Sequence, residues 1–394
     1  MRTKSGASAA PDIFARVGVR PVINGCGIYS DLGGSRLSPS IWAAMGDMNE
    51  HFVSMVELLR TSGEIIAHHV GAEAARVTPG AAASIMLMVA GVLTGKEASR
   101  TELLPRTEGL RDEIVLQWNH RYKYDRQIAM TGARIVRVGG EHGTTADEVH
   151  QALTPRTAAF FLPAHLNGVR DTVPLVEFVA LAREAGVPTL VDAAYQCWPL
   201  ENFRKYSREG ADLVCFSAKY FGGPNAGGFV AGRRDLVDAI ADNDFTRYES
   251  GRYRKYGRPL KLDRHTVVAT VLALEEWLAM DHGERWAAYG RMVANLRRRL
   301  AAVRGIRLEE RYFTMDERLV PEPVNSLVVE VDPSSGTNAA AVAARLAEET
   351  PSILVNVEAD RLIVCVDALR EGEETIIADR LRDALEENRS AETA

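Results

Sequence analysis

The stretch that decides the fold is residues 212–232, DLVCFSAKYFGGPNAGGFVAG. It contains two apolar runs, residues 213–216 and 229–231, and each has the length of a buried strand. Between them lie a single lysine, Lys219, and a segment rich in glycine. Because glycine lets the backbone approach a ligand closely, the stretch predicts a strand that ends at a binding site.

Apolar runs of the same kind occur upstream, and helical patterns separate them. The predicted strands are residues 113–117, 133–139, 157–163, 188–194 and 213–218, and the predicted helices between them are residues 125–132, 145–153 and 175–186. Thr145 and Glu148 have the spacing of a capping box at the start of one of these helices. Apolar strands that alternate with helices predict an α/β fold with a mostly parallel sheet covered on both faces.

The C-terminal part of the chain has a different pattern. A polar, aromatic and basic connection is followed by helices, strands and further helices, which predicts an α+β domain: helices 265–280, 284–303, 337–349 and 372–387, and strands 326–332, 352–358 and 361–367. We therefore expect an N-terminal arm of residues 1–50, a large domain of residues 51–260 and a small domain of residues 261–394.

Composition narrows the range of partners and compartments. The 394 residues carry a net charge of −6, so we do not expect a nucleic-acid partner. No apolar segment has the length of a membrane span, and no secretion signal opens the chain. The four cysteines lie far apart without a CxxC pair, which predicts reduced thiols in a cytoplasmic protein. His68 and His69 are adjacent and point to different helix faces, so no metal site is predicted.

Two charged residues follow predicted strands, at the sheet edge where ligands of parallel sheets bind. Asp192 directly follows the strand in TLVDAA, and it is either functional or a capping or salt-bridged core residue. Lys219 lies between Phe216 and Phe221. Desolvation there would lower its pKa and supply the neutral amine that Schiff-base chemistry needs. The alternative is a lysine whose amine reaches solvent.

The segment TPGAAAS, residues 78–84, opens a helix with very small side chains. Free N–H groups at such a helix start, together with the positive end of the helix dipole, can hold a phosphate. Close packing of the helix against a neighbour is the alternative explanation. A phosphate site, then a strand-end aspartate, then a strand-end lysine about 27 residues later is the order found in pyridoxal-phosphate enzymes of the aspartate-aminotransferase fold class.

Six segments, taken in order, resemble the bacterial seryl-tRNA selenium transferase-like family: GVRPVINGCGIYSDLGGSRLSP (18–39), TPGAAAS (78–84), NHRYKYD (119–125), VDAA (191–194), SAKYFGGPNAGG (217–228) and GRPLKLDRH (257–265). Within this family, the chain is most similar to the short members of the glucosaminate-6-phosphate ammonia-lyase type. The resemblance extends over about residues 12–390. The resemblance implies fold type I, with a mostly parallel seven-stranded sheet and a smaller α+β C-terminal domain. It also implies pyridoxal phosphate as cofactor and a homodimer or larger homo-oligomer with shared active sites.

The resemblance also assigns roles to particular residues. Lys219 would form the Schiff base with the cofactor, and Asp192 would pair with its ring nitrogen. His120 would stack on the ring, with Trp118 as a competitor, and Asn167 would contact the phenolic oxygen. The residues implied at the phosphate are Gly80, Ala81, Ala82 and Ser217.

Substrate binding is less well defined by the sequence. The candidates lie in the glycine-rich N-terminal segment and in GRPLKLD, and for each a solvated polar or charged residue is the alternative: Asn24, Tyr29, Arg36, Arg258 and Lys261. The basic, tyrosine-rich residues 247–258 could stack on RNA bases, but we prefer an interface or an active-site flap. Asp31 departs from the basic or threonine residue expected in the short branch, which puts a sugar-phosphate substrate in doubt.

The expected function is that of a pyridoxal-phosphate enzyme acting on a small amino acid or amino sugar acid. We expect α,β-elimination to a keto acid and ammonia, or β-replacement. Racemisation, transamination, selenium transfer to seryl-tRNA and non-catalytic cofactor binding are the alternatives. The acidic chain, with only about a dozen residues before the shared segments, argues against a tRNA substrate.

Overall fold

The structure, a computed structural model, describes residues 12–169, 171–314, 318–332 and 336–392. The first eleven residues of the predicted arm therefore lie outside the described residues. The described chain forms two compact units. The larger unit is Gly33–Met280, and the smaller unit combines the described residues through Leu32 with those from Asp281 onward. The predicted arm of residues 1–50 is thus divided between the two units.

The secondary structure is numbered in chain order. The α-helices of the described residues are α1 Ile13–Val17, α2 Pro39–Asn49, α3 Met55–Val70, α4 Gly80–Thr94, α5 Arg126–Ala129, α6 Ala146–Ala152, α7 Leu175–Glu184, α8 Asn202–Arg208, α9 Arg234–Asn243, α10 Arg264–Ala279, α11 His282–Leu300, α12 Ala339–Glu348 and α13 Glu373–Glu392. The strands are β1 Val22–Gly25, β2 Ala74–Thr78, β3 Glu113–Gln117, β4 Arg134–Val138, β5 Thr157–Pro163, β6 Thr189–Asp192, β7 Leu213–Ser217, β8 Gly228–Gly232, β9 Ile306–Phe313, β10 Leu319–Val320, β11 Ser326–Val331, β12 Ser352–Glu358 and β13 Arg361–Cys365.

The larger unit is built on one sheet, which within the described residues has seven strands in the order β2-β8-β7-β6-β5-β3-β4. Strands β7, β6, β5, β3 and β4 run parallel, whereas β8 pairs antiparallel with both β2 and β7. The predicted mostly parallel, seven-stranded sheet is therefore confirmed.

Every residue of β3, β5, β6 and β7 is buried, because the sheet is covered on both faces. Successive side chains on a strand point to opposite faces, so neighbouring residues enter different cores. Phe160 and Phe216 belong to one apolar cluster, whereas Phe161 and Cys215 belong to the other. Full burial of each large apolar side chain contributes roughly 1.5–3 kcal/mol to folding, which stabilises the central strands that position the site.

The starts of α2 and α6 have side-chain caps, and the one at α6 was predicted from the sequence. The Thr145 hydroxyl accepts the Glu148 backbone N–H, and the Glu148 carboxylate accepts the Thr145 backbone N–H, which completes the capping box of α6. Ser38 caps α2, and Pro39 occupies its first turn.

The smaller unit contains the predicted α+β arrangement. Its sheet, counted within the described residues, has six strands in the order β1-β12-β13-β11-β9-β10. Strand β1 pairs parallel with β12, and the remaining pairs are antiparallel. Apolar residues of α11, α12 and α13 pack with this sheet in one core.

No helix among the described residues combines the length and the apolar character that crossing a membrane requires. No group of His, Cys, Asp or Glu side chains in that part of the chain is arranged to hold a metal ion.

Candidate active site

Asp192 and Lys219 lie at the carboxyl ends of two neighbouring parallel strands. Asp192 is the last residue of β6 and is paired in register with Cys215 on β7. Lys219 follows β7, in the short 3-10 turn Ala218–Phe221. Both side chains are buried, with exposed fractions of 5% and 9%. The fold thus places a carboxyl group and an amine at one edge of the sheet, where parallel sheets bind ligands.

The glycine-rich loop after Lys219 folds back onto the turn that carries it. The Gly223 N–H donates to the Ala218 carbonyl at 2.8 Å, and the Ala218 N–H donates to the Gly227 carbonyl at 2.9 Å. A side chain at Gly223 would crowd the Ala218 methyl group, 2.7 Å away. The glycines therefore allow the loop to close over the lysine turn and hold it in place.

The start of α4 lies against the same part of the sheet. Thr78 on β2 and Ser217 on β7 are both in register with Gly228, which lies between them on β8. A Cβ atom at Gly228 would lie 2.9 Å from the Gly80 Cα, so the absence of a side chain lets α4 begin close to Ser217.

The N-terminus of α4 has the features of an anion-binding site. Pro79 precedes the helix and supplies no side-chain cap. The first N–H groups of a helix have no intrahelical acceptor, so those of Gly80, Ala81 and Ala82 can receive an anion. Ser217, whose hydroxyl was predicted to contact the phosphate, is buried.

Asp192 is held by three donors from different parts of the chain. Its Oδ2 accepts a hydrogen bond from the Tyr122 hydroxyl at 2.5 Å. Its Oδ1 accepts the Ala194 N–H at 3.0 Å and contacts the Cys215 thiol at 3.6 Å. Burial raises the pKa of Asp192 above its ordinary value, and the hydrogen bond from Tyr122 is the largest opposing effect.

His120 and Asn167 occupy turns that follow β3 and β5. His120 is fully buried, and its Nε2 lies 3.1 Å from the Thr172 hydroxyl. Burial lowers the pKa of His120 to about 4, so the imidazole is neutral at physiological pH. The Asn167 side-chain carbonyl accepts the Leu175 N–H at 2.8 Å, at the start of α7.

A series of aromatic rings connects Asp192 to Lys219. Successive centroid distances are 5.5 Å from Tyr122 to His165, 5.6 Å from His165 to Tyr195 and 6.0 Å from Tyr195 to Tyr220. The Lys219 Nζ then lies 4.9 Å from the centroid of the Tyr220 ring. These aromatic residues were not among those predicted. Each lies within three residues of one that was, so the signal was the repetition of aromatic residues beside the strand-end motifs.

The substrate candidates of the larger unit lie in different surroundings. Arg36 is exposed, and the hydroxyl of its neighbour Ser35 donates to the Gly223 carbonyl at 2.6 Å. The Arg36 segment is therefore anchored on the loop that follows Lys219. Arg258 pairs with Glu249 at 2.7 Å, and Lys261 is exposed.

The other two substrate candidates belong to the smaller unit. Asn24 closes its own turn, with Nδ2 donating to the Gly27 carbonyl at 2.8 Å and Oδ1 accepting the Cys26 N–H at 2.9 Å. Tyr29 is half-buried and packs beside a small apolar cluster that includes Phe313 and Cys365.

The donor set of the larger unit fits pyridoxal phosphate. The cofactor needs an amine for its aldehyde, an acid beside its ring nitrogen and N–H donors for its phosphate. Lys219 and Asp192 supply the first two from adjacent strand ends, both withdrawn from solvent. The start of α4, left without a side-chain cap, supplies the third.

Comparison with known proteins agrees with this chemistry. The family model of L-seryl-tRNA selenium transferase (SelA) matches residues 57–255, half of the chain. The chain is 32% identical over 392 residues to 5′-C-glycyluridine monooxygenase-decarboxylase of a Streptomyces species, with 96% of this chain and 94% of that protein covered. It is 29% identical over 273 residues to D-glucosaminate-6-phosphate ammonia lyase of Salmonella typhimurium, with 68% and 70% covered.

A solved structure extends the similarity to the fold. The structure of D-glucosaminate-6-phosphate ammonia-lyase matches with a TM-score of 0.82 at 26% identity, covering 97% of this chain and all of that chain. The expected fold type I, family and cofactor are confirmed. The chain therefore belongs to the L-seryl-tRNA selenium transferase family and is a pyridoxal-phosphate-dependent enzyme of fold type I.

Proposed function

We propose that this enzyme catalyses α,β-elimination on an amino acid or amino sugar acid, with ammonia and a keto acid as products. β-Replacement is the variant in which a nucleophile takes the place of the leaving group. The observation that carries the proposal is the buried pair Asp192 and Lys219 at adjacent strand ends. The similarity to an enzyme named as an ammonia lyase supports elimination as the reaction type.

Pyridoxal phosphate, when bound, withdraws electrons from the bonds to the amino carbon of an attached amino acid. In our proposal Lys219 anchors the cofactor, and Asp192 holds its ring nitrogen. The N–H groups of α4, with the Ser217 hydroxyl, hold the phosphate. His120 stacks on the ring as a neutral group, and the Asn167 amide contacts the phenolic oxygen. The Asn167 Nδ2 is suited to this, because Oδ1 already accepts the Leu175 N–H.

Lys219 is the base of the proposed reaction. Once the substrate's amino group has displaced it, the freed amine would take the proton from the α-carbon, and the leaving group would then depart from the β-carbon. The low exposure of the side chain favours this role, because it withdraws the amine from solvent. Burial also keeps water from competing for the proton.

We propose that the substrate is a small anionic amino acid and that its binding residues are drawn from the candidates Asn24, Tyr29, Arg36, Arg258 and Lys261. Arg36 has the best support in the larger unit, because Ser35 fastens its segment to the loop after Lys219. Its guanidinium group can bind a carboxylate or a phosphate with two parallel hydrogen bonds. Alanine variants of these residues test the assignment through KM.

A second candidate is oxidative decarboxylation. The relative named as a monooxygenase-decarboxylase is 32% identical and covers 96% of this chain, which is more than the ammonia-lyase alignment covers. Such a reaction would consume dioxygen and release carbon dioxide, whereas elimination does neither. Selenium transfer to seryl-tRNA is disfavoured, because the net charge of −6 opposes a polyanionic substrate.

We also propose a cytoplasmic homodimer or larger homo-oligomer with shared active sites. The four cysteines are free thiols, as expected in a reducing compartment. Large apolar side chains of the larger unit are exposed, including Phe52 at 96% and Trp42 at 60%. Exposed apolar residues of this size favour a protein–protein contact.

Substitution of Lys219 tests the proposed function most directly. The purified wild-type protein should show a visible absorption band from the lysine-bound cofactor, and Lys219→Ala should lack it. Activity should fall by at least roughly 100-fold, because the base is removed as well. The matched control is Lys205→Ala, which removes an exposed lysine of α8 and should retain both band and activity. A wild-type protein without the band would contradict the proposal.

An amino-acid panel then identifies the reaction. Elimination predicts ammonia and keto acid in equal amounts without an amino acceptor and without oxygen uptake. Oxygen consumption with carbon dioxide release would identify the second candidate. A requirement for an acceptor would indicate transamination, and a change of chirality alone would indicate racemisation. Cofactor binding without any turnover would indicate a non-catalytic protein.

A further inference from the structure

The phenol of Tyr122 makes a direct contact with Asp192 from a distant part of the sheet. Tyr122 lies beyond the turn that follows β3, and β5 separates β3 from β6 in the sheet. Its hydroxyl nevertheless lies 2.5 Å from the Asp192 Oδ2. Burial and the nearby Asp192 charge raise the pKa of Tyr122 well above its ordinary value. The phenol therefore keeps its proton and donates a hydrogen bond to the carboxylate.

The groups around Asp192 define what this hydrogen bond does. Cys215 faces the carboxylate from β7, His165 approaches from the turn after β5, and the Ala194 N–H donates from the segment after β6. Asp125 also acts on the Tyr122 phenol through its charge, and it pairs with Arg121. Among the groups that lower the pKa of Asp192, the Tyr122 hydroxyl has the largest effect, ahead of the Ala194 N–H, His165 and Cys215. The phenol is therefore the main side-chain donor that supports the charged form of this buried carboxylate.

The ring of Tyr122 is itself held in place. It contacts Tyr124 at 5.8 Å and His165 at 5.5 Å between centroids. With the ring fixed, the hydroxyl points in one direction, and the carboxylate that accepts from it loses rotational freedom. A carboxylate oxygen has two lone pairs, so Oδ2 can accept from Tyr122 and still receive a second donor.

We propose that Tyr122 is a positioning residue, which orients the Asp192 carboxylate and stabilises its negative charge so that it can hold the protonated ring nitrogen of the cofactor. This inference rests on the role proposed for Asp192 in the active site. It adds a residue that acts on the cofactor through another side chain. Its effect belongs to cofactor binding and can be measured without turnover.

The test is the affinity of the apoprotein for pyridoxal phosphate, measured by titration between pH 6 and 8.5. Tyr122→Phe should bind roughly 10- to 100-fold more weakly, which is the usual effect of losing a hydrogen bond to a charged group. The loss should grow as the pH falls, because Asp192 without its donor takes up a proton at a higher pH. Tyr206→Phe, which removes another buried phenol of the larger unit, should bind like the wild type.

A double-mutant cycle separates this role from a general structural one. If Tyr122 acts through Asp192, Tyr122→Phe should have little further effect in an Asp192→Asn background. Equal effects in both backgrounds, or wild-type or tighter binding by Tyr122→Phe at every pH, would overturn the inference. Such results would leave the proposed function intact, whereas failure of the wild type to bind the cofactor would remove both.

A second measurement covers the case in which Tyr122→Phe does not fold. Infrared difference spectra of the wild-type apoprotein and Asp192→Asn identify the band of the Asp192 carboxyl group. We expect an ionised carboxylate at pH 7. A protonated carboxyl group at that pH would overturn the inference without recourse to the tyrosine variant.

Discussion

Asp367 is a half-buried residue whose carboxyl group lacks a full set of hydrogen-bond partners. It follows β13 in the smaller unit, and its Oδ1 has no hydrogen-bond partner among the described residues. Burial raises the pKa of Asp367 to about 6, although nearby backbone N–H groups and Arg285 act in the opposite direction. Such a group lowers the stability of the folded protein whenever it is ionised.

The sign of the pH dependence follows from the two pKa values. In the unfolded chain Asp367 ionises near 3.8, and in the folded protein near 6. Between these values the unfolded state releases the proton first, so stability falls as the pH rises. Above about pH 6 the loss is constant, at no more than about 3 kcal/mol.

We therefore predict that Asp367→Asn changes the pH dependence of the thermal midpoint. The variant should gain stability relative to the wild type on going from pH 4 to pH 8, because it has no charge to bury. Circular dichroism melts at several pH values measure this difference. Asp360→Asn, at an exposed position of the same unit, is the control and should follow the wild type. Parallel curves for Asp367→Asn and the wild type would contradict the prediction.

The residues of the candidate site differ in how far sequence could predict their surroundings. Lys219 and Asp192 follow apolar runs, and the carboxyl ends of parallel strands meet at one edge, so their common location follows from the pattern. The contact between Tyr122 and Asp192 joins residues 70 positions apart from strands that are not neighbours. No local pattern encodes such a contact, because it depends on the strand order.

At the scale of elements, helix α3 packs against strand β2 at a glycine. A Cβ atom at Gly63 would overlap the backbone carbonyl of Ala75. The helix can therefore lie directly on the strand only while position 63 has no side chain. Leu59 and Ile66, one turn away on either side, are fully buried by this close approach.

We predict that Gly63→Ala destabilises the protein, although alanine is the better helix former. Overpacking of this kind lowers the free energy of unfolding by about 1–3 kcal/mol. The control is Gly290→Ala in α11, where no atom lies within 4 Å of the new methyl group. There alanine should raise the free energy of unfolding by roughly 0.5–1 kcal/mol. Urea denaturation measures both, and effects of the same sign would contradict the packing argument.

Some strands were predicted from the sequence and others were missed, among them β1, β2 and β9. The strands predicted at 113–117, 157–163 and 352–358 have those bounds in the structure. Strand β2 was missed because Arg76 interrupts its apolar run. The structure buries Arg76 in an ion pair with Asp244, 168 residues away in the chain. Strand β1 was missed because VING is short and finds its partner only in β12.

At the scale of the whole molecule, the proposed oligomer can be tested at Phe52, the most exposed large apolar side chain among the described residues. The Arg264 guanidinium carbon lies 5.3 Å from the centroid of the Phe52 ring. The Phe52 side chain is otherwise open to solvent. We predict that Phe52→Ser weakens self-association by at least roughly tenfold, since a buried aromatic ring contributes about 1.5–3 kcal/mol to an interface. Light scattering over a range of concentrations measures the shift towards monomer.

The control for this prediction is Val176→Ser, which removes another exposed apolar side chain, from α7. It should leave the molar mass unchanged at every concentration. A wild-type protein that is monomeric throughout would refute the oligomer. An unchanged molar mass for Phe52→Ser would contradict the prediction and would mean that the interface lies on another surface.

The close approach of Gly228 to Gly80 has a consequence for how such enzymes diversify. The proposed phosphate site at the start of α4 consists largely of main-chain N–H groups, which every residue except proline retains after mutation. Side-chain changes elsewhere can therefore accumulate while the cofactor stays anchored. Substrate preference and reaction outcome are then free to drift separately from cofactor retention. A directed-evolution library that varies the Arg36 segment and leaves Gly80 and Gly228 untouched should yield mostly cofactor-loaded variants.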